Sequence, residues 1–139
     1  MPRRRVRAAL VAVALVLPIM AVPSALADPS SAQLAASAAV TTFGSPVTLS
    51  VTATGSAACV GARSIELQWR AAEASAFDAV ALAATDASGS ASVTHTPDRN
   101  GRFRAVLPEA GACAGAVSNE VDVRVRAMIE ISPTTATAP

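Results

Sequence analysis

The sequence has no lysine and no tyrosine, and its 139 residues include one tryptophan, one histidine and two cysteines. Each shortage removes a class of function. Aromatic residues make up 3% of the chain. Trp69, Phe43, Phe77 and Phe103 are too few to supply the exposed rings of a sugar-binding platform. His95 stands alone, so no Ser/His/Asp set assembles around it. A single histidine on a strand reads as a partly buried or edge residue, and no catalysis is expected. Cys59 and Cys113 have no further Cys or His near them, too short a ligand set for zinc. No metal and no cofactor is expected. No cysteine stands beside residue 27, so no lipid anchor is expected there. The surplus of alanine and arginine is compositional bias and not a site.

What is present begins with an export signal. Arg3, Arg4, Arg5 and Arg7 make a basic head, and residues 8–22 follow as an apolar run. Ser24-Ala25-Leu26-Ala27 then gives the small-x-small pattern that signal peptidase cuts after. The run is too short, and too interrupted by Pro18 and Pro23, to span a membrane. The mature chain is expected to start at Asp28, secreted or at the cell surface, with no membrane association once cut. It carries 7 basic and 10 acidic residues, a net charge of −3. That balance argues against nucleic acid and anionic membranes as partners. The remaining 112 residues suit one domain with one modest core. In an oxidising compartment, Cys59 and Cys113 read as one disulfide.

The mature chain alternates. In 46–54, Val47, Leu49, Val51 and Ala53 face one way and Thr48, Ser50, Thr52 and Thr54 the other. In 64–71, Ile65, Leu67 and Trp69 oppose Glu66, Gln68 and Arg70. In 120–127, Val121, Val123 and Val125 oppose Glu120, Asp122, Arg124 and Arg126. Period-two patterns of this kind are half-buried strands. Weaker strands are expected at 35–41, at 77–85 with Phe77, Val80 and Leu82, at 90–96, and at 102–107 with Phe103, Ala105 and Leu107 on one face. Turn residues separate them at 44–46, 86–89, 98–101 and 111–119. About seven short strands, with turns about every 8–12 residues, specify an all-β antiparallel sandwich. Its expected core includes Trp69, Leu49, Val51, Leu67, Phe103 and Val123.

In order along the chain stand Gly44-Ser45-Pro46-Val47-Thr48-Leu49, Leu67-Gln68-Trp69-Arg70 and Thr85-Asp86-Ala87-Ser88-Gly89. Gly101-Arg102-Phe103-Arg104-Ala105 and Ser118-Asn119-Glu120-Val121 follow, ahead of the alternating valines. With these motifs the chain resembles, over residues 34–127, the bacterial Ig-like repeats of secreted and cell-surface proteins of high-GC Gram-positive bacteria. The resemblance implies strand A at 35–41, B at 46–54, C at 64–71, F at 102–107 and G at 120–127, after a short linker at 28–33. It also implies a non-catalytic spacer or binding module, usually in tandem. Trp69 fits the buried strand-C tryptophan. Cys59 then falls past strand B and Cys113 past strand F, so the disulfide ties the B–C loop to the F–G loop at one pole and does not cross the core. It closes a loop of about 55 residues, worth roughly 4 kcal/mol in the chain-entropy model. Without tyrosine there is no tyrosine corner; Phe103 occupies a comparable place.

The tail at 128–139 has two readings. Residues 131–139 align with 36–44, Ser37 on Ser132 and Thr42 on Thr137, at an offset of 95 residues. The tail is either the opening of a second Ig-like repeat or a Thr/Pro/Ala-rich terminus. Asp98-Arg99-Asn100-Gly101 lacks the oxygen ligands and distal Glu of a calcium loop and reads as a turn. Leu107-Pro108-Glu109-Ala110-Gly111 resembles a sortase anchor without the apolar span and basic tail, and reads as the exit of a strand. Arg70, Arg102, Arg104, Arg124 and Arg126 point outward as a stripe. Interleaved Glu66, Glu120 and Asp122 point to cross-strand ion pairs on a solvated face. The expected function is a secreted or cell-surface Ig-like structural or interaction module, with a protein or cell-wall partner. The alternatives are a small-ligand carrier of the chromoprotein-apoprotein type, which needs a deep pocket between the sheets, and an extracellular enzyme inhibitor presenting the F–G loop.

Overall fold

Each alternating strand has one apolar face to bury, and two sheets stacked face to face bury them all. The computed structural model describes residues 26–129 and 131. Residues 1–25 of the expected export signal, and residues 130 and 132–139 of the tail, lie outside the described residues. The strands in chain order are β1 (Ser30–Ala36), β2 (Val40–Thr42), β3 (Val47–Gly55), β4 (Ser64–Ala71), β5 (Asp78–Ala84), β6 (Ser90–His95), β7 (Gly101–Leu107), β8 (Ala116–Val117) and β9 (Val121–Arg126). A 3₁₀ turn at Ala57–Cys59 follows β3. One sheet has the order β1-β3-β6 and the other β2-β9-β7-β4-β5, with β8 added to β7. The fold is an all-β sandwich. All pairings are antiparallel except β2 with β9.

The interior is filled by the inward phase of both sheets. Leu49, Ile65, Leu67, Phe103 and Ala105 have no exposed surface, and Val51 and Val123 are 1% exposed. The outward phase of the first sheet carries no charge: Ser31, Gln33 and Ala35 on β1, Thr48, Ser50, Thr52 and Thr54 on β3, and Ser90, Ser92 and Thr94 on β6. Asn119 clamps the two sheets together. Its Oδ1 accepts from Leu34 N at 2.9 Å and its Nδ2 donates to Leu34 O at 3.0 Å, so one side chain satisfies both backbone groups of a residue on β1.

Four expectations change. The single strand at 35–41 is two strands. β1 pairs with β3, placing Leu34 opposite Val51, and β2 pairs with β9, placing Thr41 opposite Val125. Ser37 ends the first ladder: its amide donates to Thr48 O at 2.8 Å and its Oγ accepts from Thr48 N at 3.0 Å. Residues 30–33 belong to β1, within the stretch expected as a linker. β5 carries a bulge where β4 passes from Leu67 to Gln68, which turns Val80 toward the core and leaves Leu82 79% exposed. Trp69 is half-buried at the end of β4, and Phe103 is the largest fully buried side chain.

The position of Trp69 follows from Gly101. A Cβ at Gly101 would lie 2.5 Å from Arg70 O and 2.5 Å from Trp69 Nε1, so the indole rests where any other residue would put a side chain. Trp69 Nε1 is enclosed there with no hydrogen-bond partner among the described residues. Gly101→Ala is therefore expected to cost about 1–3 kcal/mol through overpacking. Urea unfolding measures the loss, and the Trp69 emission of the folded variant is expected to shift to longer wavelength. An unchanged midpoint would show that the indole has room to move.

His95, the last residue of β6, lies half-buried with its ring edge-on to Phe103, centroids 5.5 Å apart. Burial pushes its pKa below the ordinary 6.5, partly offset by the Asp98 carboxylate. The folded state therefore binds the proton less readily than the unfolded chain. The neutral ring's share of stability is present above the unfolded value and is lost as pH falls through the folded one. Between about pH 7 and about pH 5 the wild-type chain is expected to lose stability that the His95→Gln variant does not lose. Thermal unfolding across that range checks it; parallel curves would remove His95 as the cause.

Candidate functional site

Two places gather polar chemistry: the pole where the chain joins the sandwich, and the outer face of the β2-β9-β7-β4-β5 sheet.

At the pole, Cys59 from the β3–β4 loop is bonded to Cys113 from the loop after β7, with Cα atoms 5.5 Å apart. Asp28 lies beside them. Its amide donates to Ala112 O at 2.7 Å, its carbonyl accepts from Ala114 N at 2.9 Å, and its carboxylate accepts from Ser56 Oγ at 3.0 Å. Beneath the disulfide is a residue that the sequence reading passed over. Arg63 is 4% exposed. Its Nη1 donates to Cys59 O at 3.1 Å and Ser30 Oγ at 3.4 Å, and its Nη2 to Pro108 O at 2.7 Å and Ala114 O at 3.1 Å. The signal for it was its phase. Residues 63, 65, 67 and 69 alternate together, so Arg63 points inward with Ile65 and Leu67. A guanidinium bonded to three carbonyls and one hydroxyl, with no carboxylate partner among the described residues, reads as a structural lock.

On the sheet face, all five outward arginines named from the sequence come together, and their partners divide them. Arg70 and Arg102 share Glu120, each at 3.4 Å, and Arg102 also bonds Asp122 at 2.8 Å. Those carboxylates, Asp122 foremost, hold Arg102 more firmly protonated than usual. Arg104 takes a neutral partner, Gln68 Oε1 at 2.7 Å, while Glu66 accepts from Gln68 Nε2. The Arg104 and Arg70 guanidinium groups lie 4.0 and 4.7 Å from the centre of the Phe77 ring. Arg124 and Arg126 have no carboxylate partner among the described residues. A groove of about 540 Å³ is lined by Arg70, Arg102, Asp122 and Arg124 of this face together with Asn100 and residues 71, 72, 101 and 123. A smaller depression of about 340 Å³ lies at the opposite pole among Phe43, Arg99 and Met128.

The two weak motifs of the sequence are occupied by structural bonds. Asp98 binds its neighbour Arg99 at 2.9 and 3.1 Å, which lowers its pKa, and Asn100 Oδ1 accepts from Val125 N at 2.7 Å. Leu107 is the buried last residue of β7, and Pro108 supplies a carbonyl to Arg63. No family model and no curated protein matches this chain.

Replacing Arg63 orphans the buried Cys59 carbonyl and the half-buried Pro108 and Ala114 carbonyls, and a buried orphaned acceptor costs about 1–3 kcal/mol. Arg63→Met, which keeps the apolar stem, is expected to lose about 2–4 kcal/mol by urea unfolding. A loss below about 0.5 kcal/mol, the size of an ordinary surface change, would mean that water replaces the guanidinium without penalty.

Proposed function

We propose that this chain is a secreted or cell-surface Ig-like structural or interaction module without catalytic activity. The strand order carries the reading. An N-terminal segment divided between two sheets, β1-β3-β6 against β2-β9-β7-β4-β5, is the arrangement in which an immunoglobulin-type sandwich deals its A, B, E and A′, G, F, C, C′ strands. The path of the chain supports a spacer. It enters beside the disulfide at Asp28 and leaves β9 at the opposite pole, so force or distance is transmitted along the strands. The filled interior favours the module over the small-ligand carrier, because both depressions described above lie on the outside.

Export is supported at the same pole. Leu26 is 92% exposed and Ala27 is exposed, whereas Asp28 is, among the described residues, the first bonded into the sandwich. A disulfide also suits an oxidising compartment. Expressed with its full sequence in a Gram-positive host, the chain is expected in the medium or on the cell surface with Asp28 as its N-terminal residue and no free thiol. N-terminal sequencing and thiol titration read both. Material retained inside the cell with Met1 in place would overturn the proposal.

A further inference from the structure

Of the seven arginines beyond residue 27, five project from one sheet face; Arg63 is buried and Arg99 is paired with Asp98. The pairing registers place the five in a diagonal stripe. Arg104 lies opposite Gln68, Arg102 lies between Arg70 and Asp122, and Arg124 and Arg126 continue along β9 beside Val40 and Thr42. Same-face residues on a strand are about 6.6–6.8 Å apart, so the stripe offers a cation in four successive rows over about 20 Å. Only its middle is neutralised, by Glu120 and Asp122. The groove of about 540 Å³ lies along this middle.

We propose that this stripe binds an extended phosphodiester polymer without bases, such as a polyol phosphate of the cell surface. The proposal rests on reading the chain as an exported module and names its partner. Charge supplies the complementarity. The face has five arginines against Glu66, Glu120 and Asp122, while the chain as a whole beyond residue 27 is acidic. Guanidinium groups take phosphate oxygens in two-pronged fashion, and those of Arg124 and Arg126 are free to do so among the described residues. The other occupants fit less well. Protein interfaces enrich arginine but deplete aspartate and glutamate at their core, and Glu120 and Asp122 stand at the centre of this face. Single-stranded nucleic acid needs rings for base stacking, and Phe77 already carries two guanidinium groups. An anionic bilayer meets a net charge of −3 on the chain beyond residue 27. Exposed Val40 beside Arg124 and Phe43 beside Arg126 are the apolar groups it would need, and the vesicle arm of the test reads that alternative.

The test uses the mature chain, titrated calorimetrically with poly(glycerol phosphate) at several salt concentrations. The affinity is expected to fall with salt at a log–log slope of about −3, near 0.7 per arginine engaged as for single-stranded polyanions. Arg124→Ala with Arg126→Ala is expected to weaken binding about tenfold or more and to flatten the slope by about 1.4. Arg99→Ala, off the stripe, is expected to leave both unchanged. Trp69 emission verifies that each variant is folded. No binding, or binding indifferent to Arg124 and Arg126, overturns the site. Equal affinity for polygalacturonate overturns the phosphodiester assignment, and tighter binding to vesicles containing phosphatidylglycerol overturns the polymer. None of these outcomes touches the N-terminus at Asp28, so the exported-module reading is judged separately.

Discussion

A guanidinium with no counter-ion among the described residues holds the pole of this sandwich together. Burying a lone charge is costly unless its hydrogen bonds are remade inside. Arg63 meets that condition in large part: Nη1 and Nη2 bond carbonyl oxygens from both loops that the disulfide joins and a hydroxyl from β1, while Nε is buried without a partner among the described residues. The arrangement solves a second difficulty as well. Loops that cover the end of a sandwich bring backbone carbonyls with no ladder partners, and one planar donor with several N–H groups satisfies them at once. The chain accepts some strain to deliver it. Ala62 sits at φ 53°, in the left-handed region. Two bonds flank that turn: Ala62 N donates to Thr85 O, and Arg63 N to Thr85 Oγ1. The Cys59–Cys113 bond and Arg63 therefore constrain the same two loops in different states. The disulfide limits the unfolded chain, and the guanidinium orders the folded one.

Register depends on the same residue. β4 begins immediately after Arg63, and the inward phase runs from it through Ile65 and Leu67 to Trp69. A slip by one residue would carry the guanidinium out to water and turn Glu66 and Gln68 into the core, so the slipped state is penalised at both ends. β4 lies between β5 and β7, and its register is thereby imposed on the strands that make the arginine face. At the far end, Gly101 and Trp69 close the same strand pair by mutual fit. The distance between these two fixed points is the length of β4.

What the sequence made legible was what alternates. β3, β4 and β9 carry residues of opposite character in strict turn, and 64–71 is the strand at both ends. The disulfide followed from the cysteine count, and its place at one pole from the strand assignment that the Ig-like resemblance implied. The division of the first strand was hidden because Ala35, Ala36, Ala38 and Ala39 have no phase. The break is made by Ser37, whose bond partner Thr48 is eleven residues away. The half-burial of Trp69 depends on a glycine on another strand. Arg63 was hidden by its place in a loop, where outward polarity is the ordinary assumption. The pairing of arginines with acids was readable as a tendency only. Whether Glu66 lies beside an arginine or beside Val106 is decided by cross-strand register, which one strand's sequence does not contain.

The two outer faces show which part of this chemistry the fold requires. Both sheets need a polar outward phase, and β1, β3 and β6 meet the need with serine, threonine and glutamine, beside Ala35, and without charge. β-branched threonine serves strand formation and solubility together, so an uncharged face suffices to make such a sheet. The arginines of β4, β7 and β9 are therefore not demanded by folding. Their stabilising return is also small, since exposed ion pairs contribute between nothing and about 1 kcal/mol. Moreover, Arg104, Arg124 and Arg126 have no such pair among the described residues. Concentrating like charges on one face costs repulsion that scattering them would avoid. A feature that folding does not need, and that charge repulsion opposes, is the ground on which we propose a partner for this face.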